Sequence, residues 1–428
     1  MSVQRLVVVG ASLAGLRAVE AARRAGYDGE LVLVGDEVHA PYDRPPLSKA
    51  FLDLDGQRGA GQVMELSTVE ALRDELRVDL RLGVRATGLD TAAREVLLGE
   101  ERLPYDALVI ATGSVPRWLP GTDPDGPDGP LEGVTQLRTV DDARRVREAL
   151  EAGARLVVVG AGFIGSEVAS AARKRGLPVT VVEALDVPLT RSVGAEVGVA
   201  CVGLHRAAGT DLRLGVGVAG LEEDAPDGPD GRRRVRAVRL TDGTTLPADL
   251  VVLGIGVRPA TAWLEGSGVA LHEGDRGVLV DATMATNVPG VWAAGDVAHV
   301  ENPLFDGEQH RLEHWTNAAD HGAAAARHAL DPAAAEPVVT VPYFWSDWYG
   351  HRLQFVGTPR AEEARVVVDE LATGGGLVVL YRREDRVVGA FVVDLPRVVM
   401  KLRRRVLDRG PWEEAVAFAT GAGAPAPR

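Results

Sequence analysis

The chain has 428 residues, 46% hydrophobic and 25% charged, with a net charge of −14. That length exceeds what one hydrophobic core supports, so two or three domains of a soluble globular protein are expected. The acidic balance argues against nonspecific nucleic-acid binding, and no apolar run is long enough to insert in a bilayer. The one cysteine, Cys201, excludes an intramolecular disulfide or a thiol relay within the chain, and its rarity points to a cytoplasmic location.

The first element runs from Arg5 to Glu37, "RLVVVGASLAGLRAVEAARRAGYDGELVLVGDE". It reads as an apolar strand, a glycine turn, an alanine-rich helix and a second apolar strand ending in an acid. That is the opening βαβ unit of a dinucleotide-binding fold. Because the unit needs these residues, Arg5 and the apolar stretch after it are read as strand and not as a secretory leader. The loop is Gly10-Ala11-Ser12-Leu13-Ala14-Gly15, with Ser12 where the general fingerprint has its middle glycine. Serine is small enough for a phosphate to approach the backbone, and its hydroxyl adds a donor. Asp36 closes the second strand, where a carboxylate accepts from ribose hydroxyls.

"DALVIATG", Asp106 to Gly113, follows as a buried strand that runs into a loop at Thr112 and Gly113. "GTDPDGPDGPLEG" is rich in Asp, Pro and Gly and reads as a surface loop leading into a second nucleotide unit. That unit, Ala154 to Ala184, repeats the first pattern. Its loop, Gly160-Ala161-Gly162-Phe163-Ile164-Gly165, is a full GxGxxG between strand and helix, and Glu183 closes the next strand. The helix start supplies backbone N–H groups and partial positive charge to a pyrophosphate. A carboxylate at Glu183 accepts from both ribose hydroxyls and repels a 2′-phosphate, which favours NADH over NADPH. Arg191 and Gly256 are also assigned to this dinucleotide.

Cys201 lies in the apolar helical run "EVGVACVGLHRAAG" and is read as a buried structural thiol. "DAPDGPDGRRR" reads as a second surface loop, joining a β-hairpin. "ADLVVLGIGVRP" is another buried strand, and "GVWAAGDVA" ends a strand at Asp296, placed to accept hydroxyl donors or to cap a helix. "DPAAAEP" reads as a linker. After it, "VPYFWSDWYGHRLQFVG", "ARVVVDE", "GLVVLYRR" and "RVVGAFVVD" suggest an antiparallel sheet. A helix ending in "KLRRRVLDRG" follows, and the tail "GAGAPAPR" reads as disordered.

In this order, "PYDRPPLSK", "ATG", "GAGFIGSE", "GVRP", "GVWAAGD", "EHWTNA" and "YFWSDWYG" carry a family resemblance. Over nearly its whole length the chain resembles the oxygenase-coupled NADH–ferredoxin reductases, FAD enzymes that feed dioxygenases and bacterial cytochromes P450. The resemblance implies an α/β fold of the two-dinucleotide-binding flavoprotein type, with two Rossmann-like domains for FAD and NAD and a C-terminal α+β domain. The expected boundaries are 1–113 with 250–328 for FAD, 114–249 for NADH, and 329–428 for the C-terminal domain. The first loop, including Gly10, Ser12, Ala14 and Gly15, would hold FAD, with Asp36 on its adenosine ribose and Val84 on the adenine by backbone. Arg44 and Lys49 would lie along the flavin, Thr112 and Gly113 would line the pocket, and Arg138 would sit near the FAD. Asp296 would accept from the ribityl chain, and Trp315 would lie beside the isoalloxazine. Gly160, Gly162, Phe163, Ile164 and Gly165 would hold NADH. The family pairs Lys49 with Glu167 at the flavin edge, so Lys49, Glu167 and Trp315 are the expected catalytic residues. No metal site is expected.

In the related flavin disulfide reductases a redox-active cysteine pair lies near "APYDRPPLSKAFL", Ala40 to Leu52, and here that stretch has no sulfur. Electrons taken from NADH must therefore leave the flavin directly. The resemblance names a [2Fe–2S] ferredoxin as acceptor, with an oxygenase beyond it. Other acceptors (rubredoxin, quinone, oxygen) and a signalling flavoprotein resembling apoptosis-inducing factor are the alternatives. Trp345 and Trp348 stand either at the electron exit or in the packing of the C-terminal sheet. Arg397, Lys401, Arg403, Arg404, Arg405 and Arg409 either guide an acidic ferredoxin or form a solvated helix face.

Overall fold

The structure is a computed structural model that describes residues 3–224 and 232–423. It contains two compact units. The first is Met1–Asp43, Met64–Val115 and Val257–Phe344, and the second is Arg44–Val63, Pro116–Gly256 and Trp345–Arg428.

In the first unit the strand Arg5–Val9 lies at the centre of a five-stranded parallel sheet. Glu30–Gly35 and Asp79–Leu82 follow on one side, Ala107–Ile110 and Val291–Ala293 on the other. Leu6 stands opposite Leu31 and Ala107, and every residue from Leu6 to Val9 is buried, so apolar residues at consecutive positions are what a strand covered on both faces requires. The Leu13–Arg24 helix buries Leu16, Ala18, Val19 and Ala22, and the Trp315–Leu330 helix packs against it.

The second unit repeats the plan. Leu156–Val159 is central, with Val179–Val182 and Asp211–Arg213 on one side and Leu250–Leu253 and Val134–Thr135 on the other, all parallel. The Phe163–Lys174 helix follows the central strand, as Leu13–Arg24 does in the first unit. The Val140–Glu151 helix starts at a capping box: the Thr139 hydroxyl accepts from the Asp142 N–H at 3.2 Å, and the Asp142 carboxylate accepts from the Thr139 N–H at 2.8 Å. The same carboxylate takes the Arg138 N–H at 3.1 Å, which fixes the backbone from which Arg138 projects.

The Arg44–Val63 segment packs with this unit. Arg147 donates to the carbonyls of Phe51 and Asp53 at 2.7 and 2.9 Å, and Lys174 pairs with Asp53 at 2.8 Å. Val218–Glu223 and Val235–Leu240 pair as antiparallel neighbours and flank the second Asp/Pro/Gly insertion, whose residues 225–231 lie outside the described residues. The first insertion is a run of turns. The C-terminal strands form a five-stranded sheet in the order Tyr343–Trp348, His351–Gly357, Arg386–Val393, Gly376–Arg383, Glu363–Glu370. The Pro396–Leu407 helix packs on it through Val398, Val399, Leu402 and Val406. The last helix runs through Gly423, further than expected for a disordered tail, and residues 424–428 lie outside the described residues. No helix among the described residues is long and apolar enough to cross a membrane.

Candidate functional site

The two glycine loops are built alike. Gly10 has φ +120° and Gly160 has φ +101°, and a Cβ on either would collide with a backbone carbonyl, of Ala111 and of Gly254 respectively. Gly15 and Gly165 close against the carbonyls of Gly10 and Gly160, which sets each helix tight on its strand. The middle positions differ in kind. A Cβ on Gly162 would meet nothing in the protein nearer than 3.8 Å, so packing does not require glycine there. The bare surface lies at the N-terminus of the Phe163–Lys174 helix, whose first N–H groups have no partner within the helix. In the first loop Ser12 holds the same N-cap place and does not cap its own helix through its side chain.

In the first unit Asp36 is more than half exposed, and its carboxylate lies 3.7 Å from Arg85. The Val84 N–H donates to the Gly35 carbonyl at 2.9 Å. Thr112 donates to the Ala260 carbonyl at 2.9 Å, and the Gly113 carbonyl accepts from the Ala260 N–H at 3.0 Å. Asp296 sits in the turn Gly295–Val297, where Ser114 donates to its carboxylate at 3.3 Å and Arg311 to its carbonyl at 3.1 Å. Trp315 is the first residue of its helix, and its indole N–H donates to Asp43 at 2.8 Å. Ala14 is small because that helix crosses here: Gly322 lies directly over the Ala14 carbonyl. His314 packs on Phe344 at 5.1 Å, and burial pushes its imidazole down to about 4, so it is neutral at neutral pH.

In the second unit the Glu183 carboxylate accepts from the N–H groups of Ala161, at 2.9 Å, and Leu185, at 3.0 Å, and so is held beside the glycine loop. Arg191 is exposed on the Thr190–Val193 turn and is not brought onto Glu183. Gly256 has φ +89°, and its carbonyl accepts from Arg117 at 3.0 Å. Ile164 is 43% exposed at the helix start although apolar, and the Phe163 ring lies 5.8 Å from Trp348. Arg44 donates to the Arg138 carbonyl at 2.9 Å. Lys49 and Glu167 pair at 2.8 Å, with the Glu167 side chain 1% exposed. The hydroxyls of Ser48 and Ser346 also donate to that carboxylate.

The two tryptophans of the C-terminal sheet separate in environment. Trp348 is fully buried and donates to Ser346 at 2.7 Å, so it belongs to packing. Trp345 is partly exposed, with the Arg352 guanidinium 5.5 Å from its ring. The basic helix is less free than its sequence suggests. Arg404 pairs with Asp408 at 2.7 Å, while Arg405 lies 3.8 Å from Glu414 of the next helix and 4.9 Å from the Phe418 ring. Cys201 is 1% exposed within the Ala195–Ala207 helix, and burial pushes its thiol up to about 12.

A cluster away from these loops, His272, Asp275 and His299, brings one potential metal-ligand atom from each residue within 4.8 Å of the others, a grouping the sequence reading did not expect. Its imidazoles stack at 4.1 Å with an interplanar angle of 17°, and His272 Nδ1 and His299 Nε2 both face Asp275 Oδ1, at 3.2 and 2.7 Å. Burial opposes charge on Asp275, but hydrogen bonds from Arg311, Gly277 and His299 hold its carboxyl well below the usual range. Arg311 therefore links this cluster to the Asp296 turn.

Residues 4–322 match the family model for pyridine nucleotide-disulphide oxidoreductases, and residues 343–420 match that for the reductase C-terminal domain. The ferredoxin reductase component of chlorobenzene dioxygenase from Cupriavidus sp. (strain PS12) is 36% identical over 96% of this chain and 94% of its own. The chain belongs to the ferredoxin reductases of the pyridine nucleotide-disulphide oxidoreductase family. Putidaredoxin reductase of Pseudomonas putida is 34% identical over 95% of this chain and 93% of its own. Among solved structures, the covalent putidaredoxin reductase–putidaredoxin complex superposes with a TM-score of 0.86 at 32% identity, covering 99% of both chains.

The cofactors of this reductase are FAD and NADH, and its residues fit them. The bare face at Gly162 is a cradle that a Cβ would fill, at a helix N-terminus suited to a pyrophosphate. Ser12 occupies the matching place in the first loop. Sequence reading overlooked Asp43, Ser48, Arg311 and Ser346. Asp43 and Ser48 lie inside "PYDRPPLSK", and Ser346 stands between tryptophans in "FWSDW", so a small polar residue within a motif was the available signal.

Proposed function

We propose that this reductase passes electrons from NADH through FAD to a [2Fe–2S] ferredoxin, which supplies a cytochrome P450 or Rieske-type oxygenase. Bound FAD accepts an electron pair from NADH and releases electrons singly. The chain's own task is to hold and orient. The first loop with Asp36, Val84, Thr112, Gly113 and Asp296 binds FAD, and Arg44 and Arg138 are assigned to the same cofactor by family resemblance. The loop Gly160–Gly165 with Glu183, Arg191 and Gly256 binds NADH, and the Glu183 carboxylate selects it against NADPH. Trp315, steadied by Asp43, and the Lys49–Glu167 pair touch the reacting groups. Three functional domains are proposed, with FAD on 1–113 and 250–328, NADH on 114–249, and a C-terminal domain on 329–428. A cytoplasmic location agrees with the single cysteine.

One observation carries the choice of a direct electron exit. Two nucleotide loops share a chain whose sole thiol is buried in a helix and held protonated. No sulfur is placed to receive electrons, so the acceptor must come from outside the chain. The names of the relatives support a ferredoxin in that role.

The test is turnover. Purified protein should be yellow and bleach with NADH under nitrogen. Its NADH–cytochrome c reductase rate should be slow alone and rise at least tenfold with an added [2Fe–2S] ferredoxin. Bleaching without any ferredoxin-dependent rise would refute the acceptor.

A further inference from the structure

The Glu167 carboxylate is buried one turn into the helix that begins at Phe163. A carboxylate out of water needs donors for its lone pairs. Lys49 reaches Oε1 at 2.8 Å, the Ser48 hydroxyl reaches Oε2, the Ser346 hydroxyl reaches Oε1, and the Asp347 N–H stands 3.4 Å from Oε1. The direction of the Ser346 bond is set by its other neighbour. The Trp348 indole N–H can only donate, and it donates to the Ser346 oxygen at 2.7 Å. The single proton of Ser346 is thereby turned toward Glu167. Trp348 is itself immobilised: it is fully buried, with the His205 ring at 5.3 Å and the Phe163 ring at 5.8 Å.

We infer that Ser48 and Ser346 are positioning residues that keep the Glu167 carboxylate aimed when Lys49 leaves it. The inference rests on the reading of Lys49–Glu167 as the nicotinamide-side pair. The donors divide by burial. Both serines are closed off, 3% and 0% exposed, whereas the Lys49 side chain is 15% exposed and also reaches the Pro45 carbonyl at 3.4 Å. Lys49 can swing away. The serine hydroxyls cannot, because Ser48 lies in a closed turn and Ser346 in a strand. A carboxamide NH₂ is the group that can take the place of an ammonium on this carboxylate, while a carboxylate ligand would be repelled. The serines thus preserve discrimination between a nicotinamide dinucleotide and its nicotinic acid analogue.

The experiment uses the FAD-loaded full chain and four variants: S346A, S346T, S48A and E167Q. Four quantities are measured: the Kd of NAD+, the ratio of that Kd to the value for nicotinic acid adenine dinucleotide, the kcat and KM for NADH with ferricyanide, and the melting temperature. In S346A and S48A, NAD+ should bind roughly 10- to 150-fold more weakly, the size expected for one hydrogen bond to a charged group. KM should rise more than kcat falls, and the preference for the amide should shrink. S346T keeps the hydroxyl and should restore all three. A serine needed only for packing would lower the melting temperature and leave the amide preference intact. An S346A protein with unchanged Kd and preference, while E167Q alters both, overturns the inference. If S346A does not fold, the same result in S48A overturns it. A silent E167Q overturns the reading of the pair itself, and the inference with it.

Discussion

At the scale of single residues, the glycines of the second loop have different reasons to be glycine. Gly160 is needed by the fold: its φ of +101° and the nearby Gly254 carbonyl leave no place for a methyl group. Gly162 is not, since an added Cβ would meet nothing nearer than 3.8 Å. Gly160→Ala should therefore lose roughly 3 kcal/mol or more, from an unfavourable backbone region and a backbone clash together. Gly162→Ala should lose only about 1 kcal/mol, the cost of exchanging a glycine N-cap for the poorer alanine, with no clash added. It should still raise KM for NADH at least tenfold, since the methyl stands where a pyrophosphate approaches. Urea midpoints and steady-state kinetics on the two variants check both parts. A Gly162→Ala protein with unchanged KM would remove this loop as the phosphate cradle. The loops were legible because backbone geometry restricts residue choice at fixed spacing. Ser48 and Ser346 were not, because a hydroxyl that serves a carboxylate 119 or 179 residues away leaves no local pattern.

At the scale of elements, the Trp315–Leu330 helix is the clearest case of packing that positions chemistry. It crosses the Leu13–Arg24 helix so closely that Gly322 lies on the Ala14 carbonyl, and the Gly295 turn next to Asp296 packs on Ala14 and Ala318. One crossing thus sets both Trp315 and the Asp296 turn relative to the first glycine loop. Gly322→Ala would gain about 1 kcal/mol of helix propensity. The clash it creates costs about 1–3 kcal/mol in an ordinary core, and more here because the obstacle is backbone that cannot rotate aside. The clash should win, with a net loss on the order of 2 kcal/mol, a lower urea midpoint and less FAD retained through gel filtration. A raised midpoint would mean that the helices do not cross this tightly. The strands and helices around both loops were legible from unbroken apolar runs and alanine-rich helices. The Gly88–Asp90, Glu95–Leu98 and Glu101–Pro104 meander was not, because strands of three or four residues carry too little alternation.

At the scale of the whole molecule, each compact unit contains a histidine buried in the neutral form. His205, in the second, is fully buried between Ser166, at 3.2 Å, and Tyr349, at 2.8 Å, and burial pushes it down to about 4. His321, in the first, is 5% exposed, and burial together with nearby His314 pushes it down to about 4 as well. An unfolded chain protonates histidine near 6.5, so between that pH and 4 the unfolded state binds more protons than the native state. Stability should accordingly be complete above about pH 6.5, fall as the pH drops toward 4, and gain no further penalty from these groups below it. By linkage each histidine accounts for roughly 3 kcal/mol at pH 4. Carboxylates that lose their ion pairs act lower on the scale, below their own ordinary range near 4, so the window from 6.5 to about 5 isolates the histidines. His205→Gln and His321→Gln keep a polar side chain and remove the titration. Urea unfolding of each at pH 7.5, 6.5, 5.5 and 5.0 should give a flatter dependence than the parent, and the double variant should be flatter still, with the remaining slope left to His314 and His299. Because His205 and His321 belong to different units, trypsin cleavage mapped at pH 5 should show the parent opening in both and each single variant protected in one. Equal slopes in parent and double variant would mean that these histidines are protonated in the native fold and that their partners already accommodate the charge.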